Sequence, residues 1–168
     1  MKTTFFKGLR STKPEKVTDL SEIISGIQNG AWKDATLQCR TDLSKKDRLP
    51  CFTPTGIFNH RSIKGLEEYN GIICLDIDHV EDPEALKQQA AKLSWVHAAF
   101  ITPSGKGLKV IVKTRATVED YKQVEENVQA AFRDATNFVR DNRCKDIARI
   151  QFVSYDPDLY YNPTSSTF

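Results

Sequence analysis

The chain has 168 residues, of which 39% are hydrophobic and 27% charged, and its formal net charge at pH 7 is +2. This length suits one domain that buries a core without disulfide bonds or structural metals. The hydrophobic fraction is too high for a disordered tail, and the apolar runs are too short to cross a bilayer. The amino terminus lacks the apolar region of a signal peptide. We therefore expect a cytoplasmic protein with no membrane partner.

The charge and the cysteines limit the classes of binding site. Because the net charge is small, contact with nucleic acid would have to come from a local basic patch. The four cysteines form no C-x-x-C pair, and no histidine lies at zinc-ligand spacing from them. We expect reduced thiols, no structural zinc, and oxygen ligands for any metal.

Hydrophobic periodicity predicts helices and strands that interleave over the whole chain. Apolar residues at helical spacing predict a first helix that ends at Asn29 and Gly30, and the same pattern predicts a second helix over about 33–44. The further elements expected are an extended segment over 50–53, a strand over 71–78, a helix from Asp82, strands over 96–102 and 108–114, a helix from Thr117 to Val139, a strand over 150–154 and an irregular tail over 160–168.

This order of elements predicts an α+β fold in which a mixed, largely antiparallel sheet is flanked by helices. The short connection around Gly105 implies at least one antiparallel pair of strands. We expect one domain over residues 1–168, with a helical part over 1–48 and a catalytic-type core over 49–163.

Asp76 and Asp78 end an apolar strand and are the first candidate site residues. Because side chains alternate along a strand, both carboxylates lie on one face, with Cα atoms about 6.5–7 Å apart. Two carboxylates at this separation can converge on a pair of Mg²⁺ or Mn²⁺ ions. An apolar strand that ends in D-x-D needs a cation or basic partners, because burial of unpaired carboxylates is unfavourable. The alternative is that both acids face water.

The connection before the strand at 108–114 is the second candidate. Its two glycines allow backbone N–H groups to turn inward as an anion-binding nest, while a serine hydroxyl and two lysines can contact phosphate. It is not a P-loop, because the spacing differs and a strand follows. The alternative is a plain hairpin turn with lysines in solvent. The residues concerned are Ser104, Gly105, Lys106, Gly107 and Lys109.

Residues 140–149 are the third candidate segment. They mix acids with arginines, so they could supply a third metal ligand or a phosphate contact, or form only a solvated, salt-bridged connection.

Three motifs follow one another along the chain: D-x-D, S-G-x-G-x-K and D-x-x-R-x-x-F-V-S-Y-D-P. In this order they resemble the motifs of the archaeo-eukaryotic primase superfamily. The nearest likeness is to the primase-like N-terminal domain of VirE-type, BT4734-like primase–helicase proteins of mobile elements and phages. This resemblance implies an RRM-like core.

The resemblance also implies an activity, a DNA primase or polymerase that transfers nucleotides with Mg²⁺ or Mn²⁺. Asp76, Asp78 and Asp141 become the catalytic and metal-binding acids, with Asp146 as the alternative to Asp141. Arg149 becomes a phosphate or template contact, and Arg61 is a further candidate for the same cleft. The nucleotide-binding residues become Ser104, Gly105, Lys106, Gly107 and Lys109.

The implied partners are nucleoside triphosphates, a single-stranded DNA template and a helicase, either separate or fused in a longer chain of which this sequence would be a fragment. The superfamily commonly has histidine where this chain has Lys109, and lysine supplies charge but no neutral imidazole. The alternative function is therefore a catalytically weak or inactive nucleotide- or single-stranded-DNA-binding domain. A third is a metal-dependent phosphodiesterase that uses the same carboxylates.

Overall fold

The computed structural model describes residues 1–138 and 146–168, in which helices cover one side of a β-sheet and a second β-sheet lies on the other. The helices are α1 (Leu20–Asn29), α2 (Lys33–Thr41), α3 (Pro83–Ala90) and α4 (Tyr121–Thr136), with 3-10 turns at Leu43–Arg48 and Ile63–Gly65. The strands are β1 (Lys2–Phe6), β2 (Lys16–Asp19), β3 (Cys51–Thr53), β4 (Gly56–Phe58), β5 (Leu66–Tyr69), β6 (Ile72–Asp78), β7 (Val96–Ile101), β8 (Gly107–Lys113), β9 (Gln151–Phe152) and β10 (Tyr160–Tyr161).

The strands form two four-stranded sheets and one hairpin. The first sheet has the order β2-β1-β3-β9, the second has the order β10-β7-β8-β6, and β4 pairs with β5. Within the described ranges every strand pair is antiparallel. The α+β class is therefore confirmed, and so is the antiparallel pair around Gly105.

The second sheet is buried on both faces, and alternation along β6 separates the two sides. Ile73, Leu75 and Ile77 belong to the core that includes residues of α3 and α4. Ile72 and Cys74 belong to the core that includes residues of α1 and the first sheet. Leu75 and Ile77 thus point into the core opposite the two aspartates, as strand alternation predicts.

The sequence pattern locates the four helices, the strands β6, β7 and β8, and the short strands β3 and β9, although β9 covers only Gln151–Phe152 of the predicted 150–154. It misses β1, β2, the β4–β5 hairpin and β10. The second helix ends at Thr41 rather than near 44, and Val139, the last residue predicted for α4, lies outside the described residues. The strands β1 and β2 were not predicted, because two short segments that pair only with each other and with β3 carry little local periodicity.

The tail is the clearest correction to the predicted elements. It was expected to be irregular from residue 160, but Tyr160 and Tyr161 pair with Ala99 and Ala98 of β7. The N–H of Ser166 also donates over 3.0 Å to the carbonyl of Ser94, which lies just before β7. These contacts join residues about sixty to seventy positions apart, which no local pattern reveals.

A buried ion pair fixes the carboxyl end of β7. Lys87 of α3 and Asp156 have side chains that are 3% and 4% exposed, and Lys87 Nζ lies 3.0 Å from each carboxylate oxygen. The same carboxylate accepts from the N–H of Ile101, and the Ser154 hydroxyl donates to the Ile101 carbonyl. The S-Y-D segment therefore holds the residue just before the glycine-containing connection.

We predict that Asp156→Ala destabilises the protein by about 3 kcal/mol, because the buried Lys87 ammonium loses its buried partner and keeps the half-exposed Glu84 carboxylate, 3.0 Å away. The matched control is Asp158→Ala, which removes an exposed carboxylate two positions away. Urea unfolding followed by tryptophan fluorescence measures both. Equal unfolding free energies for the two variants would contradict the assigned role of the pair.

Candidate functional site

The D-x-D strand end and the glycine-containing connection lie side by side. In the β6–β8 register, Asp76 is opposite Lys109 and Asp78 is opposite Gly107. Beyond the strand end, the N–H of Val80 donates to the Lys106 carbonyl over 3.0 Å. The two segments that the sequence singles out are therefore parts of one sheet edge, although 25 or more positions separate them in the chain.

Lys109 provides the basic partner of the first acid. Its ammonium lies 2.6 Å from Asp76 Oδ1 and 2.5 Å from Gln151 Oε1. The side chains of Lys109 and Asp76 are 4% and 15% exposed. The cation that a buried D-x-D requires is thus supplied, at Asp76, by the chain itself.

The charges around Asp76 set its protonation. Burial by itself would raise the pKa of this carboxyl, but the ion pair and hydrogen bond with Lys109, assisted by the positive charges of Arg149 and Lys46, outweigh burial and lower the pKa below its ordinary value. Asp76 is therefore an anion at neutral pH. Asp78, two residues on along the same face, is exposed.

The connection uses part of its backbone for its own turn. Gly105 has a φ of 73° and its N–H donates to the Thr102 carbonyl over 2.9 Å. The N–H of Lys106 lies 3.3 Å from Ser104 Oγ, which also contacts Thr102 Oγ1 at 3.1 Å. These donors are engaged within the connection, so the group presented to solvent is the exposed Lys106 side chain.

Close packing explains why Gly107 begins β8. A Cβ atom at this position would lie 2.5 Å from the carbonyl oxygen of Ile77 in the neighbouring strand. Glycine therefore lets the two strand ends approach, which brings Lys106 next to the D-x-D segment.

The described residues include Asp76 and Asp78 but not every acid that is predicted to bind metal. The first-choice third acid, Asp141, lies outside them. The alternative, Asp146, is exposed, and its Oδ1 accepts from the N–H of Ala148 over 2.9 Å. Over residues 1–138 and 146–168, no three His, Cys, Asp or Glu side chains form a group that could hold a metal. Because Lys109 already binds one oxygen of Asp76, these residues alone do not fit a two-metal centre, and the metal assignment stays a prediction.

Arg149 and Arg61, both singled out in the sequence, line one groove. The groove has a volume of about 460 Å³, and Asp146 and Ser62 also border it. The Arg61 guanidinium donates to the Leu9 carbonyl, which orients it at the groove wall. Arg149 also contributes to the positive charge that lowers the pKa of Asp76.

Two basic residues at the site were not predicted. The Arg40 guanidinium donates to the Tyr155 carbonyl over 2.9 Å, and its Nε lies 3.7 Å from where a Cβ of Gly105 would be. Lys46 adds positive charge near Asp76. Both follow the first helix of the chain, and their sequence signal is only that of polar positions in or after an amphipathic helix.

The backbone turns sharply after the D-x-D. The exposed residue His79 has a φ of 58°, which is uncommon outside glycine.

The fold and the site define a class: an α+β domain in which two acids and two lysines lie together at one sheet edge. The family model of the BT4734-like, N-terminal domain matches residues 44–161, and the chain belongs to this family. No curated protein and no solved structure matches the chain. Among the described helices, none has the length and apolar character needed to cross a membrane.

We predict that Asp76→Asn lessens the loss of stability in acid. Because the folded-state pKa of Asp76 lies below the unfolded value of about 3.9, its charge stabilises the fold above about pH 4, and this contribution is lost as the pH falls further. The free energy of unfolding is measured by urea titration from neutral pH down to about pH 2.5, where the difference between wild type and Asp76→Asn should shrink.

The control for this profile is Asp78→Asn, which changes an exposed carboxyl on the same strand. A wild-type profile parallel to that of Asp76→Asn throughout the acid range would contradict the assigned ion pair.

Proposed function

We propose that this chain is a DNA primase- or polymerase-type nucleotidyltransferase domain that acts in the replication of a mobile element or phage. The observation that carries the proposal is the joining of the two segments: Asp78 is opposite Gly107, and Val80 bonds to the carbonyl of Lys106. Acids and a phosphate-binding lysine at one edge are what nucleotidyl transfer needs. Membership of the BT4734-like, N-terminal domain family supports it.

The proposal assigns roles to residues of the chain. Lys106, exposed beside the D-x-D, binds the triphosphate. The Ser104 hydroxyl donates to a phosphate oxygen once it exchanges its contact with Thr102 Oγ1 for the ligand. Arg149 binds phosphate or template from the groove. A bound Mg²⁺ or Mn²⁺ supplies charge neutralisation at the phosphates, and the residues proposed to hold it are Asp76, Asp78 and Asp141.

The finer fold assignment, an RRM-like primase core, belongs to the same proposal. It is supported by the antiparallel β7-β8-β6 arrangement with α3 and α4 residues packed against one face. A helicase partner and nucleoside triphosphates as substrates follow from the same likeness.

A second candidate, a domain that binds nucleotide or single-stranded DNA without synthesis, is favoured by one specific contact. The Lys109 ammonium bonds to both Asp76 and Gln151 and is almost fully buried. While this contact persists, Oδ1 of Asp76 faces an ammonium instead of a divalent ion.

We predict that Lys106→Gln weakens the binding of a fluorescent nucleoside triphosphate about tenfold or more, since a charge-assisted phosphate contact contributes about 1.5–3 kcal/mol. The matched control is Lys122→Gln, an exposed lysine on α4, whose core residues pack on the other face of the second sheet. Equal binding by the two variants, or no binding by the wild type, would contradict the proposal.

Primer synthesis separates the two candidates. Labelled nucleotide, a single-stranded template and Mn²⁺ are incubated with wild type and with Asp78→Asn, and products are resolved on a gel. Primer formed by the wild type but not by Asp78→Asn supports nucleotidyl transfer. Nucleotide binding with no product supports the second candidate, while cleavage of the template without nucleotide indicates a phosphodiesterase.

A further inference from the structure

We propose that single-stranded nucleic acid binds along a basic and aromatic strip beside the glycine-containing connection, an inference that rests on the proposed function and gives its template a location. The strip consists of Lys33, Arg40, Lys46, Phe152 and Tyr155.

Arg40 connects the strip to the candidate nucleotide site. Its guanidinium is exposed, bonds to the Tyr155 carbonyl and lies against Gly105. An extended strand that contacts Arg40 therefore passes directly beside the connection in which Lys106 is proposed to bind a triphosphate. This is the position in which a template base can meet an incoming nucleotide.

A lysine ammonium lies over each of two partly exposed aromatic rings. Lys46 Nζ lies 5.2 Å from the centroid of the Phe152 ring, and Lys33 Nζ lies 5.3 Å from that of Tyr155. Aromatic rings interleaved with cations are the arrangement that single-stranded nucleic acid uses, with bases on the rings and phosphates on the cations. A base that stacks on either ring displaces the flexible lysine towards the adjacent phosphate.

The charge of this region favours a polyanion. Residues 33–48 contain five basic and three acidic residues, so this short segment alone has as much net positive charge as the whole chain, +2. Asp42 and Lys45 neutralise each other, since the Asp42 carboxylate lies 3.9 Å from Lys45 Nζ and also accepts from the N–H and hydroxyl of Ser44. Four basic and two acidic residues then set the charge of the segment. The strip is thus the local patch that nucleic-acid binding requires in a chain of low net charge.

Single strands fit the strip better than duplexes do. The rings of Phe152 and Tyr155 can stack only on unpaired bases, because paired bases are enclosed in the helix. We expect a duplex of the same sequence to bind at least tenfold more weakly than the single strand.

Fluorescence anisotropy with a labelled oligothymidine of about twelve nucleotides, in EDTA and without nucleotide, tests the strip. The double variant Arg40→Gln, Lys46→Gln should bind at least tenfold more weakly, and the slope of log affinity against log salt should fall by about 1.4, since about 0.7 is lost per phosphate contact. Lys122→Gln is the matched control. Tyr155→Leu should weaken binding about fivefold or more, and Tyr155→Phe should restore it.

The same proteins are tested for nucleoside triphosphate binding, so the two proposals fail separately. The strip is overturned if the double variant binds the oligonucleotide within twofold of Lys122→Gln, if the duplex binds as tightly as the single strand, or if no oligonucleotide binds while nucleotide does. Oligonucleotide binding that depends on Arg40 and Lys46, with no nucleotide binding, would support the strip and overturn the nucleotide site. Circular dichroism confirms that each variant is folded.

Discussion

The contact of Lys109 with Asp76 and Gln151 is the interaction on which the arrangement of the two large sheets depends. Asp76 and Lys109 belong to the second sheet, and Gln151 belongs to β9 of the first. The surrounding core includes Phe52 and Phe100, both fully buried. In such surroundings an ammonium is tolerated only with its partners in place, so the contact fixes how the sheets face each other even where it adds little to stability.

This contact also links the two candidate functions through one ammonium. While Lys109 is bound to Asp76, its ammonium neutralises that carboxylate, and Asp78 stays exposed at the strand end. A divalent ion at Asp76 Oδ1 would have to displace the Lys109 ammonium from that oxygen, so the ion pair and a metal exclude each other at this atom.

The parts of this site that the sequence predicts are those fixed by local geometry. Strand alternation puts Asp76 and Asp78 on one face, and the short connection at Gly105 makes β7 and β8 antiparallel. Alternation also fixes the face of Lys109, but not that Gln151, 42 positions away, covers that face. Likewise Arg40 meets Tyr155 across 115 positions, a contact that only the folded chain creates. Local patterns thus predict the acids and the connection but not the basic groups that surround them.

The segment from Gln151 to Asp156 explains how these distant groups are held together. Its residues contact different parts of the fold, and the partners in order are Lys109 for Gln151, Lys46 for Phe152, Ile101 for Ser154, Arg40 for Tyr155 and Lys87 for Asp156. The segment therefore acts mainly through position: Gln151 holds the Lys109 ammonium beside Asp76, and Ser154 and Asp156 hold Ile101 just before the connection. A substitution in this segment would therefore change the position of Lys109 beside Asp76 and the position of Ile101 before the connection together.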